Sequence, residues 1–151
     1  MSALHNIWKD RYLSISTKIR TYQALVQSVL LYAAETWTPL ATDIKALEAF
    51  RMKCQRQLLQ ISWQQFIRND EVAATNGLPS ISEVIRRRCS ALFGHVARLP
   101  QDVPAHMALH CHVDLSLGRP RERWIDQVRK DSGIPPADLW RHATSRGHDD
   151  E

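Results

Sequence analysis

The stretch LSISTKIRTYQALVQSVLLYAAETW, residues 13–37, decides the fold. Ile19, Tyr22, Leu25, Val26, Val29, Leu30 and Ala33 recur at three- and four-residue spacing, which places them on one face of an α-helix. Lys18, Arg20 and Gln27 fall largely on the other side, and Ser14 or Ser16 can cap the N-terminus. Pro39 in TPLAT then breaks the pattern, because proline supplies no backbone N–H to a continuing helix.

Working outward, DIKALEAFRMKCQRQLLQI (43–61) repeats the amphipathic pattern. Thr42 is the expected cap. Ile44, Leu47, Phe50, Met52, Cys54, Leu58, Leu59 and Ile61 form its apolar side, with Lys45, Arg51, Lys53 and Arg56 pointing elsewhere. Two such helices joined by a short proline-bearing link are expected to pack antiparallel. A short helix capped by Asn69 stops at Asn76-Gly77. Ser80 and Glu83 have the spacing of a capping box. They open a longer helix whose core face is Ile81, Val84, Ile85, Leu92, Phe93 and Val96, ended by Pro100. Further short helices are expected at Ala105–Leu109, at Arg121–Lys130 with a stop at Gly133, and as a terminal turn or two over Pro136–Thr144. No alternating strand pattern persists anywhere. The expected fold is all-α, a small irregular bundle of about five to seven helices with no sheet.

A 44% hydrophobic content is enough to bury an interior, so a folded chain is expected rather than wholesale disorder. The 151 residues fit one domain or two small helical subdomains. The charge is unevenly spread. Residues 1–130 carry 18 Lys/Arg against 11 Asp/Glu, and residues 131–151 carry 2 against 5. A basic body suits a polyanionic partner. The start MSALHNIWKDRYLS has no apolar run of the secretory kind, and ALVQSVLLYAA, interrupted by Gln27 and Ser28, is too short to span a bilayer. Cys54, Cys89 and Cys111 form no CxxC, so the expectation is a membrane-free, intracellular chain with free thiols.

Chemistry is scarce. HMALHCH puts His106 and His110 on one helical face with His112 just beyond, but the second ligand pair that zinc wants is missing. The glutamate that follows the first histidine of a metalloprotease motif is also absent. These three histidines are therefore weak metal candidates, and a zinc hydrolase is the most distant reading. No nucleophile elbow and no phosphate-cradling glycine loop occurs. Asp149-Asp150 is a carboxylate pair without a strand to hold it. The residues present no enzyme site, and no cofactor is expected.

The basic features remain. Arg86, Arg87 and Arg88 fan across roughly 200° of helix surface, given about 100° per residue; a charge run of this kind is often only a solvated face. GRPRERWIDQVRKDSG (118–133) places Arg119, Arg121 and Arg123 around an exposed turn at the entry to a helix. Their forks suit phosphate oxygens; equally, they can pair with Glu122 and Asp126. Trp124, Ile125 and Val128 read as that helix's buried stripe.

Several segments, in order, resemble the C-terminal region of LINE-type (non-LTR) retrotransposon endonuclease–reverse transcriptases. The most specific are LLYAAETW, LLQISW, FGHVARLP and GRPRERWIDQV, and the similarity runs from about Ile7 to Asp131. In that family the polymerase palm, with its strand-borne aspartates, and the endonuclease lie upstream of the matching region; neither is in this sequence. The resemblance therefore implies a catalytically inactive fragment, with a thumb-like helical region over 1–77, a basic helical extension over 78–133 and an acidic, partly disordered tail over 134–151. A thumb grips a duplex through its backbone. The residues expected to contact a DNA or RNA backbone are Lys18, Arg20, Arg86, Arg87, Arg88, Arg119, Arg121 and Arg123. The cysteine-rich zinc module of some relatives does not match the histidine cluster. The competing expectation is a helical scaffold or interaction module, or an orphan remnant, that self-associates through exposed Trp8, Tyr12 and Trp37.

Overall fold

In the computed structural model, which describes residues 2–110 and 123–145, the segment that opens at Ser14 is helical as its spacing predicts. Ser14 is the cap: its Oγ accepts from the Thr17 N–H at 3.2 Å. The rod is not one α-helix, however. The α-helix α2 (Ile15–Tyr22) passes into a π-turn (Gln23–Gln27) and resumes as α3 (Ser28–Leu30). A π-turn holds one residue more than an α-turn, so everything beyond it is rotated by roughly 100°. That rotation explains why Val29, an expected core residue, lies outside; Leu25, expected in the core too, falls within the π-turn itself. Leu25 is 54% and Val29 74% exposed, while Leu31 is fully buried. Ala33, at φ +55°, ends the rod, and a 3₁₀ turn follows at Ala34–Thr36.

The remaining elements are α1 (Ser2–Lys9), α4 (Ala41–Leu58), a 3₁₀ turn (Trp63–Gln65), α5 (Asn69–Asn76), α6 (Ile81–Ala97), α7 (Pro104–His110), α8 (Trp124–Ser132) and α9 (Pro136–Ser145). Among the described residues no strand occurs, and the protein is all-α, with more helical segments than the sequence pattern suggests. The surplus comes from α1, too short to declare itself by periodicity, and from the π-turn that divides the first rod. The expected tail over 134–151 is helical through α9, and residues 146–151 lie outside the described set. Among the described residues no helix is long and apolar enough to cross a membrane.

Caps differ from expectation in two places. The α4 cap is Leu40 rather than Thr42. Leucine cannot accept a hydrogen bond, so Asp43 in the first turn does the capping by accepting from the Leu40 N–H at 3.1 Å. Arg68, not Asn69, occupies the N-cap position of α5 without a side-chain cap bond, and Asn69 Oδ1 instead accepts from Arg56 at 2.9 Å. The expected stops hold: α5 ends on Gly77 and α8 on Gly133, both in the left-handed region that glycine enters without strain. Ser80 Oγ accepts from Glu83 N–H at 3.1 Å, as the capping-box spacing predicts.

The chain divides into two compact units, Met1–Tyr32 with Pro39–Val84, and Ala33–Thr38 with Ile85–Glu151. The first is centred on Trp8, Tyr22, Cys54 and Leu58, with Ile7, Ile19, Val26 and Phe50 packed around them. Its buried side of α4 also takes in Arg51, which the amphipathic pattern places outside. Burial is tolerated because Nε and Nη1 of the guanidinium both find partners. Nε pairs with Glu48 at 2.7 Å, and Nη1 donates to the carbonyls of Leu78 and Pro79 at 3.3 and 3.2 Å. Glu48 in turn accepts from the Ile81 N–H at 2.5 Å, so one ion pair secures the α5–α6 connection.

In the second unit, Ile85, Cys89, Phe93 and Ala97 recur at four-residue spacing along α6 and are buried with Ile125, Val128 and Leu139. Phe93 meets Trp140 edge to face at 5.1 Å. The 3₁₀ turn is pinned from two sides. Cys89 Sγ reaches the Ala34 carbonyl at 3.7 Å, and Trp124 Nε1 donates to the Glu35 carbonyl at 2.8 Å. Trp124, Ile125 and Val128 thus form the packing stripe of α8, as their spacing suggests.

Candidate nucleic-acid interface

The basic residues singled out in the sequence fall into distinct structural classes. Lys18 is not a surface residue. It is 5% exposed, and its ammonium donates to the Trp8 carbonyl at 2.8 Å. Gln60 Nε2 donates to the same oxygen at 3.0 Å. Lys18 therefore closes the C-terminal end of α1, where backbone carbonyls lack partners, and it leaves the interface. Arg20, two residues on, is exposed on α2 in the first unit.

In the second unit, Arg86 and Arg87 are exposed on α6 and Arg88 is half-buried. The buried neighbours Ile85 and Cys89 fix the direction of the run. Arg123 is exposed at the N-cap of α8 but is held by Asp126, Nε to Oδ2 at 2.8 Å and Nη2 to Oδ1 at 3.2 Å. Asp126 also receives Arg129 Nη1 at 3.3 Å. The hydrogen bond from Arg123 holds the Asp126 carboxyl below the usual carboxylate range. A carboxylate in the first turn of α8 is favoured there by the helix dipole as well. For Arg123 the paired alternative is thus the one the structure contains, while Arg119 and Arg121 lie outside the described residues.

Sequence reasoning missed Arg98, exposed just past the end of α6, whose Nη1 donates to the Ala143 carbonyl at 3.0 Å. The signal was Gly94, one turn earlier, which leaves that side of the helix open for the arginine: a Cβ there would stand 3.3 Å from Arg98 Nη1.

Other chemistry is muted. Among the described residues no three His, Cys, Asp or Glu side chains come together to hold a metal ion. His106 packs edge to face against Trp140 at 6.0 Å; the side chain of His110, and His112, lie outside the described set. Cys54 and Cys89 are buried, and burial pushes both thiols up, away from the reactive thiolate. Of the aromatic residues expected to be exposed, Tyr12 is, Trp37 is half-buried, and Trp8 is buried in the first unit's core.

A family model described as a domain of unknown function (DUF6451) matches residues 1–32. That match covers α1, α2, the π-turn and α3, and it ends at Tyr32, where the first segment of the first unit also ends. No curated protein and no solved structure matches the chain.

Proposed function

We propose that the protein is a non-catalytic, all-α module that holds DNA or RNA by its phosphate backbone. It would act in the manner of the thumb and C-terminal region of the LINE-type reverse transcriptases that its sequence resembles. The observation that carries this reading is the pair Arg86 and Arg87, consecutive and exposed on α6, about 100° apart around the helix. Exposed guanidiniums on a rigid helix suit phosphate oxygens, and contacts of this kind fix position without reading sequence. Arg88 on the second unit, Arg20 on the first, and Arg119 and Arg121 belong to the same proposal.

The test is binding of the chain to a labelled RNA–DNA hybrid at several salt concentrations. Backbone binding gives an affinity that falls steeply with salt, and the double variant Arg86→Glu/Arg87→Glu should flatten the log–log slope by about two. An unchanged slope in that variant, or no binding at low salt, sinks the reading.

One observation favours a second reading, a helical interaction module that self-associates. Tyr12, Val29 and Tyr32 are 99%, 74% and 80% exposed in the first unit, and large exposed side chains mark contact surfaces where they gather. A sedimentation profile that does not change with concentration removes it.

A further inference from the structure

Within the second unit, α6, α8 and α9 enclose an open cleft of about 660 Å³. Its floor is apolar, built from Phe93, Val128 and Leu139, all of them buried core residues. Its rim carries two guanidinium side chains, Arg86 and Arg98, from the α6 side, and His142 from α9. Among the described residues no carboxylate lines it.

The cleft exists because of what α6 carries between its two arginines. Ser90, Ala91 and Gly94 line that wall, and their small side chains keep the groove open. Arg86 and Arg98 are twelve residues apart, about 18 Å along a helix, so they stand at opposite ends of the groove. Arg98 is held in place rather than free to sweep. Its Nη1 is tied to the Ala143 carbonyl at 3.0 Å, and the missing Cβ of Gly94 leaves room for it. A guanidinium has five N–H donors, so this anchor uses a small part of its capacity. Ligand sites combine this volume, an apolar lining and a few placed polar groups; a fixed cation also lowers the ordering cost of binding.

We infer that this cleft is a binding site for a small organic anion, with an apolar body about the size of one aromatic ring and a phosphate-monoester or carboxylate head. The body covers the Phe93–Leu139 floor, and the head meets the Arg98 fork, which matches such oxygens two at a time. The phosphodiester backbone of the proposed function supplies the charge but not the body, so this site goes beyond that reading although Arg86 belongs to both.

The experiment is a titration of the full chain with phenyl phosphate, followed by amide shifts in two-dimensional NMR, with inorganic phosphate and phenol as controls. Saturable binding with shifts confined to α6, α8 and α9 is expected, with each control at least tenfold weaker. Ala91→Leu, which fills the groove from an exposed helical position, should abolish the shifts. Arg98→Gln should weaken binding about tenfold. Gly94→Ala, which favours the helix, displaces the Arg98 end and should weaken binding in a chain whose folding is not compromised. Equal affinity for phenyl phosphate and inorganic phosphate, no saturation at millimolar concentration, or binding indifferent to all three substitutions overturns the inference. Hybrid binding measured on Ala91→Leu separates the two proposals, since backbone binding should survive that substitution.

Discussion

Lys18 and Trp8 are joined by a buried hydrogen bond, the ammonium of one to the main-chain carbonyl of the other at 2.8 Å. The contact ties α2 to the last turn of α1 and turns an apparent surface cation into part of the first unit's interior. Arg20, on the same helix, is exposed. The two positions should therefore answer oppositely to charge reversal. Lys18→Glu sets a carboxylate against a carbonyl oxygen in a buried site and should cost about 3–5 kcal/mol, the range for a buried charge that loses its partner. Arg20→Glu should change stability by no more than about 0.5 kcal/mol while weakening hybrid binding. Urea unfolding of the two variants beside wild type checks the first statement, and the salt titration the second.

The π-turn makes an equally sharp prediction. Helical periodicity places Leu25 and Val29 in the core, whereas the structure buries Leu31 and exposes them. Leu31→Ala should cost about 2–5 kcal/mol. Leu25→Ala and Val29→Ala should each stay within about 0.5 kcal/mol of wild type. Thermal unfolding of the three variants decides between the registers. A costly Val29→Ala would mean that the first rod runs as a continuous α-helix.

These cases show where the sequence is readable. Helix existence is legible from spacing, and the ends from Ser14, Ser80, Gly77 and Gly133, since caps and left-handed stops are local chemistry. The π-turn is not legible, because one inserted residue leaves composition and amphipathic content unchanged and alters only the phase beyond it. Nor is the burial of Lys18 and Arg51. A cation enters a core only when carbonyls from distant segments converge on it, here Trp8, Leu78 and Pro79. The candidate interface was legible in part for a related reason. Arg86 and Arg87 follow from their own helix, while the role of Arg98 depends on α9 arriving beside it.

Asp126 gives a prediction in pH and in binding together. Its carboxyl titrates below the ordinary value of 3.8 because Arg123 donates to it. Stability from this contact is therefore complete above that value and is lost as the pH falls through the lower, folded-state value. Asp126→Asn should remove that portion of the acid dependence of unfolding. It also removes one negative charge and the carboxylate that holds Arg123, so hybrid affinity should rise. Measuring both on one variant is informative. A change in acid unfolding with no gain in affinity would confine Arg123 to a capping role at α8.

Tyr22 sits at the centre of the first unit, 1% exposed, and its hydroxyl finds no hydrogen-bond partner among the described residues. Burial pushes its pKa from 10.0 up to about 12. An acid whose folded-state value is raised leaves stability intact below the unfolded value. Stability then drains away as the pH rises through the folded one, because only the unfolded chain accommodates the phenolate in water. Tyr22→Phe should act in two ways. At neutral pH it removes an unpaired buried hydroxyl and should stabilise the chain by about 1 kcal/mol. At alkaline pH it should flatten the loss of stability between 10 and 12, the two values that bracket the folded and unfolded phenol. Urea midpoints at pH 7 and across the alkaline range read both effects. A destabilised Tyr22→Phe at pH 7 would show that the hydroxyl has a partner in solution.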